Sequence, residues 1–159
     1  MNLPSLLEIG LSNFIPSTFF KPKDSFLKWL TKFAENKIVF DVGCGNGNFL
    51  KRMHKLKIKA IGIDPIYTAF LHPDQELRNC ILPMFAQECK ILQNTKNSII
   101  LFCRPCHDGF VYETIKKIHK NNIIFYISKT INVNIDISGL NYKIINVPGL
   151  QEEKLYQVL

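Results

Sequence analysis

The sequence predicts an α/β fold: a three-layer sandwich with one mostly parallel, seven-stranded sheet, helices on both sides and a C-terminal antiparallel hairpin. Three observations carry this expectation. Short apolar runs alternate with amphipathic stretches along most of the chain, the pattern of parallel strands joined by crossover helices. A glycine-rich turn links the first of these runs directly to a helix. The last two runs, Tyr142–Val147 and Lys154–Val158, are separated only by Pro148 to Glu153, which is too short for a right-handed crossover and long enough for a hairpin.

The other strands are expected at Lys37–Val42, Ile58–Ile63, Ile81–Phe85, Ser98–Cys103 and Ile123–Ser128. They are rich in β-branched and aromatic residues, and apolar on both faces, as strands buried on both sides should be. Between them lie three clear helices. Asp24 caps the first, in which Phe26, Leu27, Leu30 and Phe33 share a face. The second starts near Asn46 and turns Phe49, Leu50, Met53 and Leu56 inward, with Lys51, Arg52 and Lys55 outward. The third starts near Gly109 and spaces Val111, Ile115 and Ile118 along one side. Shorter helices fill 67–79 and 88–95. This makes one domain over residues 24–159, preceded by an apolar segment, residues 1–23.

Composition narrows the function classes. Hydrophobic residues make up 47% and charged residues 21% of the 159, ordinary for a globular protein. No apolar run reaches the roughly 20 residues that span a bilayer, so no membrane partner is expected. The apolar N-terminus carries Pro4, Glu8 and Pro16 and lacks a basic leader, which disfavours a signal peptide and points to the cytoplasm. Five cysteines then read as free thiols. The net charge of +7 is almost all lysine and is taken as spread along the chain, which supports a nucleic-acid partner only weakly.

The chemistry is concentrated in Ile38-Val39-Phe40-Asp41-Val42-Gly43-Cys44-Gly45-Asn46-Gly47-Asn48-Phe49-Leu50. Glycine allows the backbone to turn sharply and a ligand to approach where a Cβ would collide. The following helix offers unpaired N–H groups to an anionic group. A dinucleotide site would place a third glycine where Asn48 stands. Instead, Asp41-Val42-Gly43-Cys44-Gly45-Asn46-Gly47 resembles the first motif of class I S-adenosylmethionine-dependent methyltransferases. The resemblance implies a Rossmann-like methyltransferase fold over residues 25–159, with S-adenosyl-L-methionine as cofactor. Gly43, Cys44, Gly45 and Gly47 would hold its methionine part and Asp41 would anchor its amino group. Asp64, followed by Pro65 at the end of the second strand, stands at the ribose position. The adenine position falls on Met84-Phe85-Ala86-Gln87-Glu88-Cys89, with Gln87 and Glu88 as alternatives.

In that family the substrate meets the methyl group at the end of the fourth strand, here Cys103-Arg104-Pro105-Cys106-His107-Asp108. Enzymes that methylate base amino groups carry Asn/Asp-Pro-Pro-Tyr/Phe at this place, and the departure argues against that substrate. Pro105-Cys106 resembles the nucleophile motif of cytosine-C5 methyltransferases, and Arg104 or His107 could activate the Cys106 thiol. The glutamate motif of those enzymes is missing. His107 and Asp108 are placed as general bases, and Cys103 lies against the cofactor site. Cys103-x-x-Cys106-His107 also matches haem attachment and half of a zinc site, but neither context is present. The segment 1–23 is expected to fold over the cleft as a lid. The alternative to an enzyme is a degenerate methyltransferase-like module that acts with a partner. The methyl acceptor is not legible.

Overall fold

The computed structural model describes residues 20–65, 75–106 and 108–159. In chain order the elements are α1 (Asp24–Phe33), β1 (Val39–Val42), α2 (Asn48–Lys55), β2 (Ala60–Ile63), α3 (Gln75–Asn79), β3 (Ile81–Leu82), α4 (Lys90–Asn94), β4 (Ile99–Cys103), α5 (Phe110–Ile115), β5 (Ile123–Ser128), α6 (Val133–Asp136), β6 (Tyr142–Ile145) and β7 (Lys154–Val158). Short 3-10 turns occupy Ala86–Glu88 and Thr130–Asn132.

One seven-stranded sheet runs in the order β3-β2-β1-β4-β5-β7-β6. The first five strands pair in parallel. β7 runs antiparallel to both of its neighbours, with Tyr126 opposite Tyr156 on one side and Ile144 opposite Tyr156 on the other. The closing hairpin is therefore present, and its second strand is inserted between β5 and β6. Leu155 and Tyr156 of β7 are buried, whereas Tyr142, Lys143 and Ile144 of the edge strand β6 are exposed.

Alternation along the strands divides the core in two. Val39, Ile99, Leu101, Phe125 and Ile127 pack under Phe26, Leu27 and Leu30 of α1, Phe49, Leu50 and Met53 of α2, and Leu77 of α3. Phe40, Val42, Ile100, Phe102 and Tyr126 face Leu92 of α4, Val111 and Ile115 of α5, and Val133 of α6. Each fully buried Leu, Ile or Phe contributes about 1.5–3 kcal/mol relative to exposure, so both layers are needed to hold the sheet.

Several local expectations need correction. Lys23, not Asp24, occupies the cap position of α1 and makes no side-chain cap. Asp24 lies in the first turn, where a carboxylate suits the helix dipole, and pairs with Arg52 of α2 at 3.0 Å. α2 begins at Asn48 rather than Asn46, because Gly47 takes a left-handed conformation with φ +80°. Asn46 Oδ1 instead accepts from the Asn48 N–H at 3.1 Å. Phe33 and Leu56 lie at the ends of their helices and are exposed. Strands β1, β2, β3, β4 and β6 are each shorter than expected, whereas β5 and β7 keep the expected bounds. In the stretch 67–79, α3 fills 75–79 and the rest lies outside the described residues. The connection between β5 and β6 contains a 3-10 turn and α6, which the periodicity did not announce.

Gly62 of β2 shows how tightly the first layer meets the loop after β1. A Cβ there would lie 2.6 Å from Cys44 Sγ and 3.1 Å from both Ile81 Cγ1 and Leu50 Cδ2. Gly62→Ala is expected to lower the unfolding free energy by about 1–3 kcal/mol in urea titrations, an overpacking cost. The double variant Cys44→Ala/Gly62→Ala should recover part of the loss.

Candidate functional site

Three glycines with left-handed backbone angles carry the chain from β1 into α2: Gly43 at φ +77°, Gly45 at +56° and Gly47 at +80°. The neighbouring strand fixes this path. Gly43 N–H donates to the Ile63 carbonyl at 2.7 Å, and Gly45 N–H donates to Asp64 Oδ2 at 2.8 Å. A Cβ on Gly47 would press on Leu77 Cδ2 and Ile81 Cδ1, each at 3.1 Å. The loop is thus held by β2 and packed against α3 and β3.

A cleft of about 250 Å³ opens beside the loop, over the C-terminal ends of β1, β2 and β4. Of the sequence-predicted site residues, Asp41, Gly43, Cys44, Gly45, Asp64, Pro65, Gln87, Cys103, Cys106 and Asp108 all line it. Gly47 stands behind the loop as the cap of α2. Glu88, the alternative to Gln87, is exposed and does not line the cleft. His107 lies outside the described residues, as does the segment 1–19. The described end of the N-terminal segment does reach the site, since Phe20 and Lys21 line the cleft. Phe20 is buried edge-on against Phe26 and Phe49, with ring centroids 5.7 and 5.0 Å away.

Sequence reasoning did not single out Phe85 and Phe110, both of which line the cleft. Phe85 is exposed at the end of an apolar run, and Phe110 opens a helix directly after the fourth-strand turn. Phe85 is an exposed aromatic ring, and that was the available signal; Phe110 packs on Phe102 at 6.2 Å and reads in the sequence as core. A wider open groove of about 560 Å³ continues from the cleft and shares Gln87, Asp108 and Phe110 with it.

The electrostatics of the cleft are acidic at depth. Asp41 is buried, and burial followed by the nearby Asp64 charge pushes its carboxyl up to about 7. Among the described residues it has no hydrogen bond or ion pair. Burial also raises the thiols of Cys44 and Cys103, with the Asp41 charge adding to it. Cys106 does not gain an activated thiol from the described residues. Its thiol is pushed up, first by burial and then by the carboxylates of Asp108, Asp64 and Asp136. Arg104 Nε is engaged with Glu153 Oε1 at 3.3 Å. Arg104 also takes a left-handed conformation, φ +48°, unusual for a residue with a long side chain and a strained turn where the fourth strand meets the cleft. Asp108 Oδ1 accepts the Phe110 N–H at 3.2 Å and so steadies the start of α5. Gln87 Oε1 is shielded from solvent and has no hydrogen-bond partner among the described residues. Among the described residues, no group of three His, Cys, Asp or Glu is placed to hold a metal. No described helix is long and apolar enough to cross a membrane.

The strand order, the closing antiparallel pair and the glycine turn after β1 together define the Rossmann-like fold of class I methyltransferases. Among solved structures, the protein PH0226 from Pyrococcus horikoshii matches with a TM-score of 0.61 at 9% identity, over 85% of this chain and 87% of that one. A methyltransferase dependent on S-adenosylmethionine from Bacteroides fragilis, solved with S-adenosyl-L-homocysteine, matches at 0.56 and 12% identity, over 91% and 81%. A ribosomal protein L11 methylase from Lactobacillus delbrueckii matches at 0.54 and 11%, over 91% and 82%. No protein-family model matches the sequence, and no curated protein is similar to it in sequence.

The raised Asp41 carboxyl has a consequence for stability. Its folded value, about 7, exceeds the 3.8 of an ordinary aspartate, so protonation favours the folded state. The stability is intact below about pH 4 and is lost as pH rises toward 7. Asp41→Asn should therefore raise the unfolding free energy at pH 8 by roughly 2–4 kcal/mol. Denaturant titrations at pH 8 and pH 4 check this; the difference should nearly vanish at the lower pH.

Proposed function

We propose that the protein is a methyltransferase that binds S-adenosyl-L-methionine in the cleft beside the Gly43–Gly47 loop. The observation that carries this reading is the pair of buried carboxylates, Asp41 and Asp64, at the ends of adjacent parallel strands and facing that loop. Asp41, buried beside a second carboxylate and with no side-chain hydrogen bond among the described residues, is costly to ionise unless a cationic ligand offsets it. S-adenosylmethionine carries an ammonium and a sulfonium.

The residues present suit each part of this cofactor. Asp41 is the acceptor for the ammonium, and the N–H groups at the start of α2 suit the carboxylate. Asp64, held through Oδ2 by Gly45, stands where the ribose hydroxyls need an acceptor. Gln87 Oε1, shielded and unpartnered, provides an acceptor for the adenine amino group, and Phe85 gives the ring an apolar wall. When bound, the cofactor supplies a methyl group already activated on sulfur, which passes to a nucleophilic atom of the acceptor and leaves a thioether.

The protein's own part is then positioning and exclusion of water. Phe20, Phe110 and Pro105 close the cleft around the reacting end. Asp108 lies where the cleft joins the open groove, and it or His107 takes a proton from an acceptor that arrives protonated. The groove is the path for the acceptor. Cys106, with its thiol pushed up, serves as wall rather than nucleophile.

Calorimetry with S-adenosylmethionine tests the reading, and binding on the order of micromolar is expected. Asp64→Ala should weaken it by about 10- to 100-fold, the loss of a charge-assisted hydrogen bond. Gly45→Val should abolish it, because a branched residue resists the left-handed angle and fills the ligand's space. A cationic ligand favours ionised Asp41, so affinity should rise with pH through 7. A folded protein that does not bind the cofactor, or a Gly45→Val variant that binds it normally, would overturn the proposal. Binding without turnover over pools of acceptors would favour the degenerate module.

A further inference from the structure

The positive charge is not spread along the chain. Residues 20–59 hold ten lysines and arginines against three carboxylates, while the rest of the protein holds ten against ten. The entire net charge of +7 therefore falls within α1, β1, α2 and their adjoining turns. One of the three carboxylates, Asp41, is buried in the cleft. The surface built from this stretch is more basic still.

The fold gathers these residues on one side. α1 and α2 pack on the same face of the sheet, and the Asp24–Arg52 ion pair joins their outer surfaces. Lys28 and Lys32 stand one turn apart on α1, and Lys55 lies on α2. All three are exposed, as are Lys21, Lys23 and Lys59. Among the described residues none of these six is paired with a carboxylate. The opposite layer is more mixed, with Lys90 on α4 and Glu113 on α5, the latter paired with Lys116 at 3.9 Å.

We infer that this face binds the phosphate backbone of nucleic acid and delivers it to the cleft. Lys21 connects the two features, being both part of the basic stretch and a residue of the cleft wall. A protein partner would want an apolar centre to the interface. A membrane would want apolar side chains pointing outward among the cations. Here Phe26, Leu27, Leu30, Phe49, Leu50 and Met53 are all turned into the core. Of the exposed apolar residues of this stretch, Phe33 is stacked on Trp29, and Ile38 and Leu56 stand singly beyond the helix ends. These make no continuous apolar patch, so the outer surface is mainly charge, which is what phosphate contacts need.

The use of lysine sets the mode. An ammonium is a point charge without the bidentate geometry of a guanidinium, so the contact fixes position and not sequence. The ten residues of α1 span about 15 Å, which covers roughly four base pairs of a duplex. A plot of log affinity against log salt should then have a slope of about −3 to −4. The inference goes beyond the methyltransferase reading and does not depend on it, since backbone binding needs no cofactor.

The test uses the full chain and a fluorescein-labelled RNA hairpin, titrated by anisotropy at several salt concentrations without S-adenosylmethionine. Lys28→Gln/Lys32→Gln/Lys55→Gln should weaken binding at least tenfold and flatten the slope to about −1. The control Lys90→Gln/Lys96→Gln/Lys120→Gln, which removes the same charge from the rest of the surface, should bind as the parent does. Circular dichroism verifies that both variants are folded. The inference is overturned if the parent does not bind the hairpin, or if the two triple variants lose affinity equally. Capture by phosphatidylserine vesicles that the hairpin cannot compete away would also overturn it, in favour of a membrane. Calorimetry with the cofactor remains a separate measurement, so either reading can fail alone.

Discussion

The Gly45 backbone amide donates to Asp64 Oδ2 at 2.8 Å, and through that bond the ends of two adjacent strands become one site. The loop after β1 has three residues in left-handed conformations and would have many paths open to it in isolation. The Ile63 carbonyl fixes its start and Asp64 fixes its middle, while Leu77 and Ile81 press on the far side at Gly47. Everything that lines the cleft from β1 and β2 takes its position from this arrangement. The same carboxylate acts as a structural brace and as a neighbour that keeps the Asp41 charge unfavourable.

That dual role sets stability against ligand binding. Burial without a partner makes Asp41 costly to ionise, and Asp64 adds to the cost. For folding alone, an apolar residue or an amide would suit this position better. A strained residue at the end of β4, Arg104, stands across the same cleft. Locally unfavourable features that cluster on one cavity are expected of a ligand site, and they support the proposed reading.

Much of the fold was legible in the sequence, because buried parallel strands advertise themselves as continuous apolar runs. β5 and β7 keep the bounds that their composition suggests, and the glycine turn with Asp41 and Asp64 comes together as the spacing implied. The misreadings share a physical origin in interactions that are not local. Asp24 has the composition of a cap but is drawn into a pair with Arg52, twenty-eight residues away. α2 starts late because Gly47 takes an angle that only the surrounding contacts require. Arg104, expected to aid Cys106, has its Nε engaged by Glu153, on the loop between β6 and β7. Phe20 and Phe85 look like ordinary apolar residues in one dimension and border the cleft in three. The charge asymmetry needed no structure to count, yet its meaning rests on α1 and α2 sharing a face.

The insertion of β7 between β5 and β6 bears on how the protein is made. β6 precedes β7 in the chain but touches the sheet only through it. During synthesis β6 must wait without a partner, and the outer edge of β5 stays open, until Lys154–Val158 has emerged. Bare edges of this kind invite pairing with other chains. Lys154–Val158 thus acts as a molecular closure, and a ribosome paused just before it would hold an aggregation-prone sheet.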